Sequence, residues 1–324
     1  MKGPIVIFVE HDRGEIRPSA YELMSLAIRI QEAEKAEIKA VILGNEIQKA
    51  AERFSAACAV AVTAVSHARL REYNAELYTR VLVEVLTEMK PSYILAPHSS
   101  QGADFAPGLA LRLSAACVSG VEGICEKASG LRFHRSIFGG KIQAEIEPAA
   151  ETTLLTLQPG SFKPHAAQEG AEPIVQPYAV SVPEPAFGTL ALKTVPSEGI
   201  DLFLAKVLVA AGRGVGEEEN LALVQQLADQ FPQSAICGSR PIIDDGWMPY
   251  SRQVGITGAT VSPSLYIACG ISGATQHVSG MRSSGFVVSI NSDPGAAIFN
   301  VSDICIVEDL TEFIPLLIEQ MRSF

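Results

Sequence analysis

The chain alternates strand and helix signals in two blocks separated by a proline-rich stretch, and that alternation leaves few folds open. In the first block, short apolar runs (Ile5 to Glu10, Ile38 to Leu43 closed by Gly44, Cys58 to Val65, Tyr93 to Ala96) are interleaved with stripes at helical spacing. Leu23, Leu26, Ala27 and Ile30 recur at i, i+3, i+4 and i+7; Val81, Leu82, Val85, Leu86 and Met89 make a second such face. Unbroken apolar runs suit strands buried on both sides, as in parallel sheets. Repeated β–α–β units put helices on both faces of such a sheet. From Gly123 to Leu157 the pattern changes to short strands, with Gly139-Gly140 between two of them as in a hairpin.

Residues 159–199 hold Pro159, Pro164, Pro173, Pro177, Pro183, Pro185 and Pro196, and are expected to be extended or loop-like. A second α/β block follows. Its strand runs are Val207 to Ala211, Ser234 to Cys237, Leu265 to Cys269, Phe286 to Ile290 and Ile304 to Val307. Leu221, Val224, Leu227, Ala228 and Phe231 mark one helix, and Phe313, Ile314, Leu317, Ile318 and Met321 mark another. The expected fold class is therefore α/β, with two domains, each a mostly parallel sheet with helices on both faces. They span 1–190, ending in the connector, and 201–324. A pivot is expected over 185–201, where prolines flank Gly188 and Gly199.

A length of 324 residues with 48% apolar and 19% charged residues supports two real cores. The formal net charge of −11 disfavours nucleic acid as a partner. No apolar run approaches the roughly 18–20 residues of a membrane span. Met1-Lys2-Gly3-Pro4 leads at once into a strand, without a leader pattern, so a cytoplasmic setting is expected. Cys58, Cys117, Cys125, Cys237, Cys269 and Cys305 form no C-x-x-C pair, and His11, His67, His98, His134 and His165 show no metal-ligand spacing. No metal site is expected; these are taken as reduced thiols and as structural or surface histidines.

Candidate chemistry concentrates in the second block. Gly212-Arg213-Gly214-Val215-Gly216 follows a strand but has G-x-G-x-G spacing, and Glu217, Glu218 and Glu219 stand where a pyrophosphate would approach. Arg213 is either a phosphate ligand or a surface arginine. Gly270-Ile271-Ser272-Gly273-Ala274-Thr275-Gln276-His277 is the better anion candidate: it follows an apolar strand, opens a helix with Ser272 as the expected N-cap, and carries no acid. Ser239-Arg240 and the loop Gln253-Val254-Gly255-Ile256-Thr257-Gly258 follow another strand. Asn291, Asp303 and Asp309 stand near strand ends, where ligands of open α/β sheets bind or where Asx turns form. His277 is open to a binding role or to a satisfied, partly buried one. No nucleophile or acid–base set stands out, which disfavours a stand-alone enzyme.

In order, Gly212-Arg213-Gly214, Ser239-Arg240, Asp244-x-Gly246-x-x-Pro249, Gln253-Val254-Gly255-x-Thr257-Gly258, the run from Pro263 to His277, Asn291-x-Asp293-Pro294 and Ile298-Phe299 resemble the α subunit of electron transfer flavoprotein. Val9-Glu10-His11 and the segment Thr156 to Phe162 look like that family's N-terminal domain. The resemblance implies a Rossmann-like C-terminal domain holding FAD, and a β subunit partner carrying AMP or a second FAD. It also implies a dehydrogenase donor, commonly an acyl-CoA dehydrogenase, and a quinone oxidoreductase acceptor. Members that bifurcate electrons from NADH are the alternative. Carried over by position, Ser272, Gly273, Ala274, Thr275, Gln276 and His277 would hold FAD. Arg213, Asn291, Asp309 and Leu310 would line its phosphate and adenosine side. Ser239, Arg240, Gln253, Val254, Gly255, Ile256 and Thr257 would lie toward the isoalloxazine. Arg240, Thr257 and His277 would tune it, His277 beside the N1–C2=O edge where reduction builds negative charge. Ile256, Gln158, Trp247 and Tyr250 depart from the family's commoner pattern; Ile256 offers no side-chain hydrogen bond to a flavin.

Overall fold

The computed structural model describes residues 2–127, 130–138, 142–167, 171–188, 200–255 and 257–322. The chain divides into two compact units, Met1–Lys193 and Thr194–Phe324. Most of the expected pivot, residues 189–199, and the Gly139-Gly140 turn lie outside the described residues. No described helix is long and apolar enough to cross a membrane.

The first unit is built on a seven-stranded sheet in the order Ile174–Pro177, Ala61–Ser66, Ile38–Gly44, Ile5–Phe8, Tyr93–Pro97, Thr153–Leu157, Ala116–Val121, with every pair parallel. Successive strand residues feed opposite faces. Ile5 and Ile7 pack with the helices Ser19–Glu34 and Gln48–Cys58, while Val6 and Phe8 pack with Ala75–Met89 and Ser100–Arg112. Both faces are thus covered, which is why the runs read as uniformly apolar. A three-stranded antiparallel sheet, Gly123–Lys127, Gly130–Ile137 and Ile142–Ile146, lays Leu131 and Phe133 on the first of these cores. Its pairing carries Cys125, His134 and Glu145 to one place, a grouping that linear spacing did not show.

Three expectations need correction. The third strand is Ala61–Ser66, not Cys58 to Val65: Cys58 is the buried last residue of a helix, and Ala59 ends that helix in the left-handed region at φ 52°. The helices Gln48–Cys58 and Ser100–Arg112 were not anticipated, because alanine and glycine carry much of their inward faces. The connector is not wholly irregular, since Ile174–Pro177 forms an edge strand on Ala61–Ser66. An edge tolerates the proline, whose missing N–H costs no ladder bond there.

The second unit holds a five-stranded parallel sheet ordered Ser234–Gly238, Val207–Ala211, Leu265–Cys269, Val287–Asn291, Ile304–Val307. The helices Leu221–Ala228 and Leu310–Arg322 cover one face; Thr275–Met281 and several loops cover the other. The first strand of this unit lies between the second and third, so its order reverses between Val207–Ala211 and Leu265–Cys269. At that reversal two loop backbones meet directly. Gly212 N donates to Cys269 O at 2.8 Å and Gly214 N to Gly270 O at 2.9 Å. A Cβ on Gly212 would lie 2.3 Å from Gly270 O, and one on Gly214 2.8 Å from Gly270 Cα. These glycines serve close backbone packing.

Gly212→Ala therefore tests packing, since φ at Gly212 is −108° and open to any residue. Chemical denaturation should show it destabilised by about 1–3 kcal/mol through overpacking. Gly108→Ala, in a helix with nothing within 4 Å of the added carbon, should instead gain about 0.5–1 kcal/mol. Equal stability of the two variants would contradict the packed seam.

Candidate functional site

The loops leaving the carboxyl ends of the second unit's strands enclose a cavity of about 630 Å³. That volume falls in the roughly 300–1,000 Å³ range of small-molecule and cofactor sites, at the sheet position where open α/β folds bind ligands. Arg213, Ser239, Arg240, Gln253, Val254, Gly255, Thr257, Ser272, Ala274, Gln276, His277 and Asn291 line it. The expected residues thus come from five separate chain segments to one cavity.

Each segment is fixed by its own local chemistry. Ser239 N donates to Ala211 O at 2.9 Å, and Ser239 precedes the short helix Arg240–Asp244, which Pro241 opens. The Arg240 side chain is 70% exposed and its Nε donates to Asp244 Oδ2 at 3.2 Å, so its guanidinium keeps unused donors. The 253–258 loop is closed by Gln253 Nε2 donating to Thr257 Oγ1 at 2.7 Å and by the Tyr250 hydroxyl donating to Thr257 O. Gly255, at φ 142°, lets that loop press on the next helix, where a Cβ would meet Gln276 O at 2.8 Å. Asn291 donates to Ile271 O at 2.9 Å and accepts from Asp293 N at 2.9 Å, which ties the turn after Val287–Asn291 to the glycine-rich turn.

The 270–277 turn departs from expectation at its cap. The helix begins at Thr275 with Ala274 at the N-cap position and no side-chain cap; Ser272 does not fill that role. Gly273 is the reason. It sits at φ 87° against the Ala297–Ile298 backbone, where a Cβ would lie 2.0 Å from Ile298 N, so helical geometry starts only after it. His277 N already donates to Ala274 O at 2.9 Å, but the helix supplies no carbonyl for the N–H groups of Thr275 and Gln276, and without a side-chain cap these two are donors for a ligand.

His277 is the buried polar group of the site, 6% exposed. Its Nε2 pairs with the Tyr266 hydroxyl at 2.9 Å, and Tyr266 is itself fully buried. Among the described residues no hydrogen-bond partner meets Nδ1 within bonding geometry, and the atom is buried. Burial pushes the imidazole down to about 4, with the Val254 backbone pulling the other way as the smaller effect. The ring is therefore neutral at pH 7.

Other expected residues stand elsewhere. Gly273 supports the turn from behind and Thr275 opens the helix; neither is in the described lining. Asp309 precedes the last helix, where its carboxylate accepts from Thr311 N at 2.8 Å and Thr311 Oγ1 at 2.7 Å, and Leu310 is buried in the core. Asp303 accepts from Val287 N at 2.7 Å and serves the sheet. Ile256 lies outside the described residues. Asp293, Gly295, Ala296 and Ala297 join the lining without having been anticipated as site residues. Their signal was present in the Asx turn after Asn291, whose Asp293 accepts from Gly295 N at 2.8 Å.

Residues 5–183 match the family model of the electron transfer flavoprotein domain, and 201–282 match that of the electron transfer flavoprotein FAD-binding domain. Electron transfer flavoprotein subunit alpha of Syntrophomonas wolfei is 36% identical over 318 residues, covering 98% of each chain. The subunit of the same name from Bacillus subtilis is 30% identical over 319 residues, covering 98% of this chain and 97% of that one. The acryloyl-CoA reductase electron transfer subunit beta of Anaerotignum propionicum is 30% identical over 354 residues, covering 98% and 95%.

Burial of neutral His277 makes stability pH-dependent with a definite sign. Between about pH 6.5 and about pH 4 the unfolded chain binds a proton at this residue that the folded chain does not, so stability falls as pH drops through that window. The contribution is up to about 3 kcal/mol. Urea denaturation across the window should show this fall, and His277→Gln should flatten part of it. A variant with unchanged pH dependence would contradict the buried neutral ring.

Proposed function

The chain belongs to the electron transfer flavoprotein α-subunit family, and from that premise we propose that it is the FAD-holding subunit of a heterodimeric electron carrier. The observation that carries this reading is the cavity of the second unit. It gathers two arginines, the uncapped N–H groups of Thr275 and Gln276 and a buried neutral imidazole, a donor set that fits a long anionic cofactor with a planar polar ring. FAD supplies the redox chemistry, accepting and releasing electrons at that ring.

In this reading the N–H groups of the Ser272–Gln276 turn bind the pyrophosphate, and Arg213 and Asn291 hold the phosphate and adenosine side. Asp309 and Leu310, beyond the described lining, are left to the adenosine end. Ser239, Arg240 and Thr257 flank the ring, with Gln253 fixing the Thr257 hydroxyl. His277 faces the ring's N1–C2=O edge, and Tyr266 holds the imidazole through Nε2. Arg240 places a permanent positive charge near the edge that becomes negative on reduction.

The first unit is proposed to pair with a β subunit that carries AMP or a second FAD. Electrons would come from a dehydrogenase and pass to a quinone oxidoreductase, in the cytoplasm. A relative whose name ties it to acryloyl-CoA reductase supports a donor or acceptor that acts on acyl-CoA.

Arg240→Ala, in the chain purified with its β subunit, should keep its flavin and lower the flavin's first reduction potential. A charge-assisted hydrogen bond is worth about 1.5–3 kcal/mol. Discounted for an exposed side chain, this becomes tens of millivolts for one electron. A redox titration followed in the visible checks it. An unchanged potential would remove Arg240 from the flavin's surroundings.

A further inference from the structure

The antiparallel sheet of the first unit has two unlike faces. Ile124, Leu131, Phe133 and Ile146 pack on the core. Alternation sends Cys125, Arg132, His134 and Glu145 to the other face. In the ladder, Glu145 stands directly opposite His134, and Gly123 opposite His134 on the other side, which puts Cys125 diagonal to the imidazole. Cys125 Sγ lies 3.2 Å from His134 Nε2 and 3.7 Å from Glu145 Oε2, and His134 Nε2 lies 3.5 Å from Glu145 Oε2.

Those spacings match a metal's requirements. Tetrahedral zinc takes sulfur at about 2.3 Å and nitrogen or oxygen at about 2.0–2.2 Å, so its ligand atoms stand about 3.3–3.6 Å from one another. The three donor atoms are already near those distances. We propose that Cys125, His134 and Glu145 form a zinc-binding site, with thiolate, imidazole and carboxylate ligands and a fourth position open to water.

The surroundings support the assignment. Arg132 Nη1 donates to the other oxygen of Glu145 at 2.6 Å, which turns Oε2 toward the thiol and imidazole, as outer partners of metal ligands do. The arginine's charge is met by Glu147, whose carboxylate lies 2.8 Å from Nη2, so it does not stand uncompensated against a cation. A thiolate and a carboxylate balance the dication. Cys125 and His134 are half-buried and Glu145 is exposed, which leaves an entry path. The pairing of sulfur with imidazole selects zinc over magnesium or calcium, which take oxygen ligands. Binding replaces the Cys125 S–H with an S–metal bond and releases one proton to solvent.

The test uses the full chain purified with its β subunit, stripped with a chelator and titrated with Co(II) as a spectroscopic probe. One Co(II) per chain should bind, with a thiolate-to-metal charge-transfer band in the near ultraviolet and intense tetrahedral bands in the visible. Zn(II) should displace it. Cys125→Ser should abolish the charge-transfer band, and His134→Gln and Glu145→Gln should each weaken binding at least about tenfold. Cys117→Ser and Cys305→Ser, at the two exposed cysteines elsewhere, should leave the spectrum unchanged. As a measurement free of folding artefacts, Zn(II) should slow alkylation of Cys125 in the unaltered protein, read by peptide mass spectrometry. Absence of the charge-transfer band, its survival in Cys125→Ser, or alkylation of Cys125 indifferent to Zn(II) would overturn the proposal.

Discussion

The binding end of the second unit rests on the contact between Gly212, Gly214 and Gly270, where two loop backbones meet with no side chain between them. A Cβ at any of the three would fall within 3 Å of backbone on the facing loop, which cannot swing aside as a flexible side chain can. Because the seam holds the two loops together, the next turn, Ser272 to Gln276, is set at a fixed height above the sheet. Gly273 and Gly255 repeat the device on either side, one against Ala297–Ile298 and one against Gln276. Glycine here fixes positions by allowing contact rather than flexibility.

Buried polar groups complete the arrangement. The Tyr266–His277 pair crosses an otherwise apolar core that includes Leu208, Ala268 and Met281, and an unpaired group there would be costly. Nε2 is satisfied by the Tyr266 hydroxyl behind the ring, and the His277 residue itself lines the cavity. In the first unit the corresponding sheet end is closed differently. Glu10 follows the strand Ile5–Phe8, is 9% exposed, and accepts a hydrogen bond from Ser99, while His98 pairs with Thr156. A carboxylate at that position repels a phosphate, so related sheets offer opposite electrostatics at the same place.

What could be read from the residues follows from how each element is stabilised. Val207–Ala211 and Leu265–Cys269 coincide with their apolar runs, because parallel strands in a covered sheet need little besides apolar side chains, while Ile304–Val307 keeps its apolar run as an exposed edge strand. Ser100–Arg112 was hidden because Gly102, Pro107 and Gly108 argue against a helix that Phe105 and Leu109 anchor from the core. The edge strand Ile174–Pro177 is mostly exposed and has no apolar pattern of its own; its pairing partner defines it. Most of the cavity residues were legible as loops after strands. The actual start of the 275–281 helix was not, since it turns on the contact of Gly273 with a segment more than twenty residues away. Cys125, His134 and Glu145 meet only through strand register, which no linear spacing encodes.

The central claim is that the seam-supported turn and its neighbouring loop hold FAD. Hydrogen–deuterium exchange on the purified complex, with FAD bound and after flavin removal, tests it most directly. The account predicts slower exchange on flavin binding in peptides covering residues 270–278 and 253–258 of this chain, with the first unit's sheet unaffected. Protection confined to the first unit, or none in either segment, would contradict it.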